Sequence, residues 1–436
     1  MSSFLISSVS PEGSDPVDLL IADGTIVAVG EPGSVDAPED TTVVDATGLI
    51  ALPGLVDMHT HLRQPGHEDA ETVDTGTRAA AKGGYTAVFA MANSNPVADT
   101  AGVVEQVWQL GRDAGWVDVH PVGAVTVGLE GKRLSEIRAM AESRARVRMF
   151  SDDGKCVHDP VLMRRALEYV KSFDGLVAQH AQEPRLTEGA QMNEGVVSAE
   201  LGLTGWPAVA EEAIIARDVL LAQHVNSRLH ICHVSTKGSV EIVRWAKERG
   251  VDVTAEVTPH HLLLTDERVR QFDAVFKVNP PLRTDEDVMA LRAAVADGTI
   301  DVIGTDHAPH TIEDKESEWS CAAMGMTGLE TALSVVQKTL VDTGMIDWAT
   351  VATITSRRPS EILRLPDQGA ALEAGAAANI TLWDPAGETP VNPETHVSKG
   401  RNSPYRGMPL PGRVIATFYR GHPVVLDGQL NTPLFA

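Results

Sequence analysis

Long apolar runs are missing from this sequence. No stretch of about eighteen apolar residues occurs, so no segment reads as a membrane-spanning helix. The N-terminus, MSSFLISSVSPEGSDP, lacks a basic leader and a long apolar core, which argues against a secretory signal. Cysteine is scarce. Cys156, Cys232 and Cys321 are the only three, with no C-x-x-C pair and no even-numbered framework, so a cytoplasmic location is expected. Positive charge is also in short supply. The 36 Lys and Arg against 60 Asp and Glu leave a net charge of −24. Such a chain repels nucleic acid and anionic membranes, and neither is expected as a partner. A small anionic ligand stays open, because a local positive pocket or a bound metal is enough to hold one.

What is present is a chain of 436 residues, 43% apolar, long enough for one large barrel and a smaller domain. Up to residue 51 the pattern is of short strands and turns. DLLIADGTIVAV (18–29) folds around an Asp23–Gly24 turn, and TTVVD (41–45) adds a strand. From 52 to 365, apolar strand candidates at 52–58, 85–91, 117–125, 145–151, 175–181, 228–235, 252–258 and 301–306 alternate with helical stretches. The helix candidates include 97–114, 133–142, 159–172, 208–224, 237–249 and 284–297. Strands apolar on both faces in this alternation predict a (β/α)8 TIM-like barrel. From 366 to 436 strands return in ITLWDP, RVIATFYRG and HPVVLDG, with GAALEAGAAA (369–378) as a strand–turn bridge. Segments 1–51 and 366–436 are expected to meet in one small β-sandwich domain of an α/β protein.

The chemistry concentrates at the predicted strand ends. In PGLVDMHTHLR (53–63), Asp57, His59 and His61 alternate at period 2, which a strand places on one face. His59 and His61 could chelate a metal, with Asp57 tuning the site from behind. Alone, an H-x-H pair suits a core or surface position as well as a metal site. The other strand ends shift the balance. Asp152 and Asp153 follow ARVRMFS, His180 closes LVAQH, His233 lies in RLHICHVS, and Asp306 closes DVIGTD. Barrels of this kind collect their active-site residues at such ends. Four histidines and two aspartates suffice for two divalent metals sharing a carboxylate. Asp306 could also accept a proton, and His310 could reach substrate from the loop beyond. Arg63 suits a carboxylate, and Asn93 and Asn279 suit an amide edge. His230 and Cys232 are expected to face away from His233. His307 reads as a bystander, and His260 and His261 read as packing.

Taken together, PGLVDMHTHLRQPG (53–66), MANSNP (91–96), FSDDG (150–154), QHAQE (179–183), ICHVST (231–236), KVNPPLR (277–283) and GTDHAPH (304–310) resemble the bacterial-type dihydroorotases of the amidohydrolase superfamily that lack a carboxylated lysine. The resemblance implies a reversible, zinc-dependent interconversion of N-carbamoyl-L-aspartate and L-dihydroorotate in pyrimidine synthesis. It assigns His59, His61 and Asp306 to one zinc, His180 and His233 to a second, and the bridge to Asp153 rather than Asp152. A metal-bridging hydroxide would attack the ring amide carbonyl with Asp306 as general base and acid. Substrate contacts fall on His61, Arg63, Asn93, Asn279 and His310, and on the loop at Met324 and Gly325. That loop departs from the family's P-F-G by reading Ala323-Met324-Gly325, and M-P-N-T reads Met91-Ala92-Asn93-Ser94. A homodimer and docking to an aspartate transcarbamoylase are further implications. Two rivals share these features: another cyclic amidase, of allantoinase or hydantoinase type, and a non-catalytic barrel that supports a transcarbamoylase.

Overall fold

The computed structural model describes residues 3–435. The first strands are β1 (Phe4–Pro11), β2 (Val17–Ala22), β3 (Thr25–Gly30), β4 (Thr42–Asp45) and β5 (Ile50–Pro53). Asp23 and Gly24 both adopt positive φ between β2 and β3, as a tight hairpin requires. Gly54 then leads into β6 (Leu55–Thr60), β7 (Tyr85–Ala90), β8 (Asp118–Pro121), β9 (Met149–Phe150) and β10 (Leu176–Gln179). The short β11 (Met192–Asn193) and β12 (Gly205–Trp206) pair with each other in an excursion. β13 (Leu229–Ile231), β14 (Val253–Val257) and β15 (Val302–Ile303) follow. The chain ends in β16 (Ile380–Pro390), β17 (Pro409–Tyr419), β18 (His422–Leu426) and β19 (Gln429–Leu430).

All eight strand candidates between 52 and 306 contain a strand. They pair in parallel as β6-β7-β8 and as β9-β10-β13-β14-β15. Single parallel bridges join the two sets, Gly123 to Phe150 at one seam and Thr60 to His307 at the other. One apolar cluster gathers Met58, Phe89, Met149, Leu176 and Val302 with Ile362 and Leu363 of the helix Arg358–Leu363. A larger cluster packs the other strand faces against the helices.

The predicted helices appear, some shorter: 97–114 narrows to Ala101–Ala114 and 133–142 to Ile137–Glu142. The helix Val73–Lys82 was not among the candidates. Its buried face is Val73, Gly76, Thr77, Ala79, Ala80 and Ala81, small residues that, Val73 apart, offer no large apolar side chain to mark the helix. Thr72 caps its N-terminus by accepting from Thr75 N.

Strands from both ends of the chain share one sheet, in the order β19-β18-β17-β16-β5-β1-β2-β3, with β4 beside β1. Its core draws Phe4, Ile6, Leu19 and Ile26 from one end and Ile380, Leu382 and Phe418 from the other. β5 runs to Pro53 and belongs to this sheet, antiparallel to β16. The handover to the parallel strands therefore falls at Gly54, slightly beyond the expected residue 51. The stretch 369–378 forms turns with one bridge, Ala377 to Thr25, instead of a strand.

Candidate metal centre and active site

Five strand ends meet at one point. Asp153 lies at its middle, buried between four imidazoles. Its Oδ1 is 3.4 Å from His59 Nε2, 3.3 Å from His180 Nδ1 and 3.2 Å from His233 Nε2. Its Oδ2 is 3.3 Å from His61 Nε2. Asp306 closes the other side, with Oδ1 3.0 Å from His61 Nε2 and 3.6 Å from His59 Nε2. His180 Nδ1 and His233 Nε2 stand 2.9 Å apart. Two ligand triplets emerge, His59-His61-Asp153 and Asp153-His180-His233, with Asp153 in both. Burial alone would raise the Asp153 carboxyl, but His59, His180 and His233 hold it well below the usual carboxylate range. Asp152, its neighbour, turns away. Its Oδ1 accepts from the backbone N–H of Val125 and Thr126, and its Oδ2 from the Thr126 hydroxyl.

These donors fit divalent metal. His59 Nε2 is buried and has no hydrogen-bond partner, a costly arrangement unless a ligand takes its lone pair. Donors about 2.0–2.1 Å from a tetrahedral ion lie about 3.3 Å from one another, close to the separations above. A cluster of imidazole nitrogens and carboxylate oxygens suits borderline divalent ions.

A buried scaffold aims the ligands. Glu256, in the middle of β14, places Oε1 2.5 Å from His59 Nδ1 and accepts from His233 N at 3.2 Å. Its Oε2 is 3.2 Å from His230 Nε2, whose Nδ1 faces Thr254 Oγ1 at 2.8 Å. Sequence reasoning missed Glu256 and set His230 aside as facing away; both belong to this network. Cys232 also turns towards it, grouped with His59 and Glu256 rather than pointing off. Asp57 stands behind the site as expected. It accepts from His59 N at 3.1 Å and Thr305 N at 3.0 Å, fastening the first strand end to the eighth. Burial pushes its carboxyl up to about 7. His307 is a bystander to the ligands, facing Glu71 at 3.4 Å. His261 is held by Thr258 and by backbone carbonyls, whereas His260 Nε2 is buried without a partner. Arg63, His233 and Asp306 have φ of 61°, 32° and 46°. Left-handed backbone is unfavourable for such residues, and it concentrates here where strands break into loops.

The remaining candidates lie on the loops that follow the strands. Arg63 Nε donates to Pro309 O at 3.0 Å, leaving the outer fork of the guanidinium uncommitted to that carbonyl. His61 Nδ1 faces Asn93 Oδ1 at 2.9 Å, so Asn93 orients a candidate ligand. Asn279 Nδ2 donates to Gln182 Oε1 at 3.1 Å, while its buried Oδ1 has no partner. His310 Nε2 lies 2.9 Å from Met324 O and 3.3 Å from Arg63 Nη2. Burial, then the charge of Arg63, pushes this imidazole down to about 3, so it stays neutral near pH 7. Gly325 has φ 148°, and a Cβ there would sit 2.7 Å from His310 Nε2. Its N–H donates to Lys277 O at 2.9 Å.

Residues 48–239 match the Dihydro-orotase-like family. Over 432 residues the chain is 67% identical to a dihydroorotase of Streptomyces coelicolor, spanning 99% of this chain and 100% of that protein. The chain belongs to the dihydroorotase family. A second relative, a dihydroorotase of Mycobacterium tuberculosis, is 53% identical over 430 residues, covering 98% of this chain and 100% of its own. Among solved structures, an L-hydantoinase (dihydropyrimidinase) from Arthrobacter aurescens superposes with a TM-score of 0.87 at 24% identity, across 99% of this chain and 98% of that one. A dihydropyrimidinase from Brevibacillus agri gives 0.83 at 25%, across 98% and 96%. The hydantoinase likeness is one of fold.

Proposed function

We propose that this chain is a metal-dependent dihydroorotase that interconverts L-dihydroorotate and N-carbamoyl-L-aspartate. The observation that carries the reading is the convergence of four histidines on the single Asp153 carboxylate, at a mouth lined by Arg63, Asn93, Asn279 and His310, in a chain related over its length to dihydroorotases. His59, His61 and Asp306 would hold one zinc ion, His180 and His233 the second, and Asp153 both. When bound, the ions would activate water and polarise the scissile carbonyl.

The side chains do the rest. Arg63, with Asn93 and Asn279, binds the carboxylate and imide edge of substrate and so aligns the ring amide. His310, neutral and backed by Arg63, donates or accepts at the ring without competing for the anion. The backbone at Met324 and Gly325 completes the pocket wall. Asp306 takes the proton of the attacking water as the carbonyl carbon gains its new C–O bond. It then delivers that proton to the ring nitrogen as the C–N bond breaks. Ring closure reverses these transfers, with the carbamoyl nitrogen attacking the side-chain carboxyl and water leaving.

The same reading treats the eight parallel strands as a closed (β/α)8 barrel spanning 52–365. It treats 1–51 and 366–436 as one small β-sandwich domain; the two seam bridges and the shared core of the terminal strands support it. A cytoplasmic homodimer goes with it; no helix among the described residues is long and apolar enough to cross a membrane. The test is a two-way assay with dihydroorotate and carbamoyl-aspartate, with and without chelator, beside hydantoin and allantoin. Chelator-sensitive turnover of dihydroorotate is expected. Faster turnover of a hydantoin or allantoin would overturn the substrate assignment, and no activity with zinc supplied would favour a scaffold.

A further inference from the structure

The segment from Val397 to Ser403, between β16 and β17, packs against the loops that follow β6 and β15. It is anchored at two carboxylates. Glu330 accepts from Val397 N at 2.9 Å and Ser398 N at 3.1 Å. Glu71, which follows the first barrel strand, accepts from the Ser398 hydroxyl and from Lys399 N. The strap lies hard against the loop after β15: a Cβ on Gly400 would fall 2.7 Å from Pro309 Cβ and 2.8 Å from Thr327 Cγ2. Its polar side chains Ser398, Asn402 and Ser403 are all buried, and Asn402 is the one that meets this loop.

Asn402's side-chain amide and backbone carbonyl are engaged with that loop. Oδ1 accepts from His310 N at 3.2 Å. Nδ2 donates to Ala308 O at 2.9 Å and to Gly325 O at 3.1 Å. Its own carbonyl accepts from Thr327 N at 3.2 Å. Lys315 reaches the same Gly325 carbonyl by its own path. Its Nζ donates to Gly325 O at 3.1 Å, Ala323 O at 2.8 Å and Lys277 O at 3.2 Å. Gly325 O is thus held by an amide and a lysine amino group at once, while the flanking Met324 O meets His310 Nε2.

We infer that Asn402 is a positioning residue for the reaction, fixing His310 and the Met324–Gly325 peptide in one frame, with Lys315 as the counter-clasp on the same carbonyl. The geometry has a consequence for the loop. Its sequence, Ala323-Met324-Gly325, has no bulky anchor of its own beyond Met324, and it takes its shape from donors outside itself. Neither Asn402 nor Lys315 touches a proposed metal ligand. Their loss acts on how substrate is held, since binding groups displaced by a fraction of an ångström lose alignment while the catalytic carboxylate stays in place.

This inference rests on the dihydroorotase reading, and its experiment has two arms so that the two can fail separately. The first measures dihydroorotate hydrolysis and metal content for the parent, Asn402→Ala, Lys315→Met, Lys315→Arg and the combination of the two truncations. KM should rise roughly tenfold in each truncation, with kcat within about threefold and metal content unchanged. Lys315→Arg, which keeps a cationic donor, should fall between the parent and Lys315→Met. The combined variant should lose less than the product of the single losses, because both grip one carbonyl. The second arm follows amide hydrogen exchange across 311–326 without substrate, where both truncations should speed exchange. Unchanged KM in both truncations overturns the clasp, as does a fall in metal content or in kcat alone. Lys315→Met decides the matter should Asn402→Ala fail to fold. A parent enzyme inactive on dihydroorotate would sink the functional reading, and unchanged loop exchange would then sink the clasp independently.

Discussion

Glu256 Oε1 stands 2.5 Å from His59 Nδ1, with both side chains buried. The carboxylate accepts a hydrogen bond from Nδ1–H, and the lone pair of Nε2 is thereby turned to the centre. Burial opposes an anion at Glu256, but His59 and His230 hold it well below the ordinary carboxylate range. Glu256→Gln keeps the shape and can present its amide oxygen to Nδ1–H, but it removes the charge. Metal affinity should fall by about 10- to 100-fold, the usual loss when a ligand's outer partner is weakened. Titration with a competing chelator would measure it. Affinity equal to that of the parent would show that His59 needs no anion behind it.

Arg63 has Nε committed to Pro309 O, so only the outer edge of its fork is available to substrate. Arg63→Lys keeps the charge and loses both the anchor and the paired donors. The expected cost is about 2–4 kcal/mol of transition-state binding, or roughly 30- to 1000-fold in kcat/KM. Steady-state kinetics would check this, and a lysine variant with parental kcat/KM would put the substrate carboxylate elsewhere.

The proposed function gives Asp306 both a ligand and a proton-transfer role. Asp306→Asn retains one oxygen for the metal and removes the proton acceptor. Turnover should drop about 100- to 10,000-fold in both directions with most of the metal retained. Zinc stoichiometry and kcat must be read on the same sample. Full occupancy with near-normal kcat would move the base to another group, such as His310.

Glu330 gives a stability prediction away from the metals. Burial pushes its carboxyl up to about 7, against the lowering effect of the Val397 and Ser398 N–H groups. Between its unfolded value, 4.5, and about 7 the folded chain holds a proton that the unfolded chain releases. The associated stability is therefore present below the lower value and lost as pH rises through the higher one. Glu330→Gln stays neutral throughout. Relative to the parent it should gain on the order of 1–3 kcal/mol between about pH 5 and pH 8. Denaturant unfolding of both proteins at the two pH values would show a constant difference if Glu330 titrates normally.

Much of this arrangement is legible in the sequence, and the parts that are not have physical reasons. Central strands such as YTAVFA read as strands because they are largely apolar on both faces. The helix Val73–Lys82 is silent because alanine, glycine and threonine build its buried side. His59, His61, Asp153, His180, His233 and Asp306 stand out because each sits at a strand-to-loop break. Glu256 sits inside its strand, where one acidic residue looks the same whether it faces water or a buried histidine. His230 was misjudged by counting at period 2 from His233. β13 ends at Ile231, and the positive φ of His233 breaks the alternation. Asn402 lies 92 residues from the His310 backbone it holds, and no local pattern in the sequence joins them.

The pairing of β5 with β16 brings Ile50–Pro53 beside Ile380–Trp383. A ribosome makes the first of these strands long before the second. During that interval β5 presents an unpaired edge, and such edges recruit other chains. A nascent chain that has emerged as far as Asp306 holds all six proposed metal ligands but neither the partner of β5 nor the strap that carries Asn402. The residues proposed to hold metal and the residue proposed to hold substrate in register are therefore made at different points of translation, the second almost a hundred positions after the first.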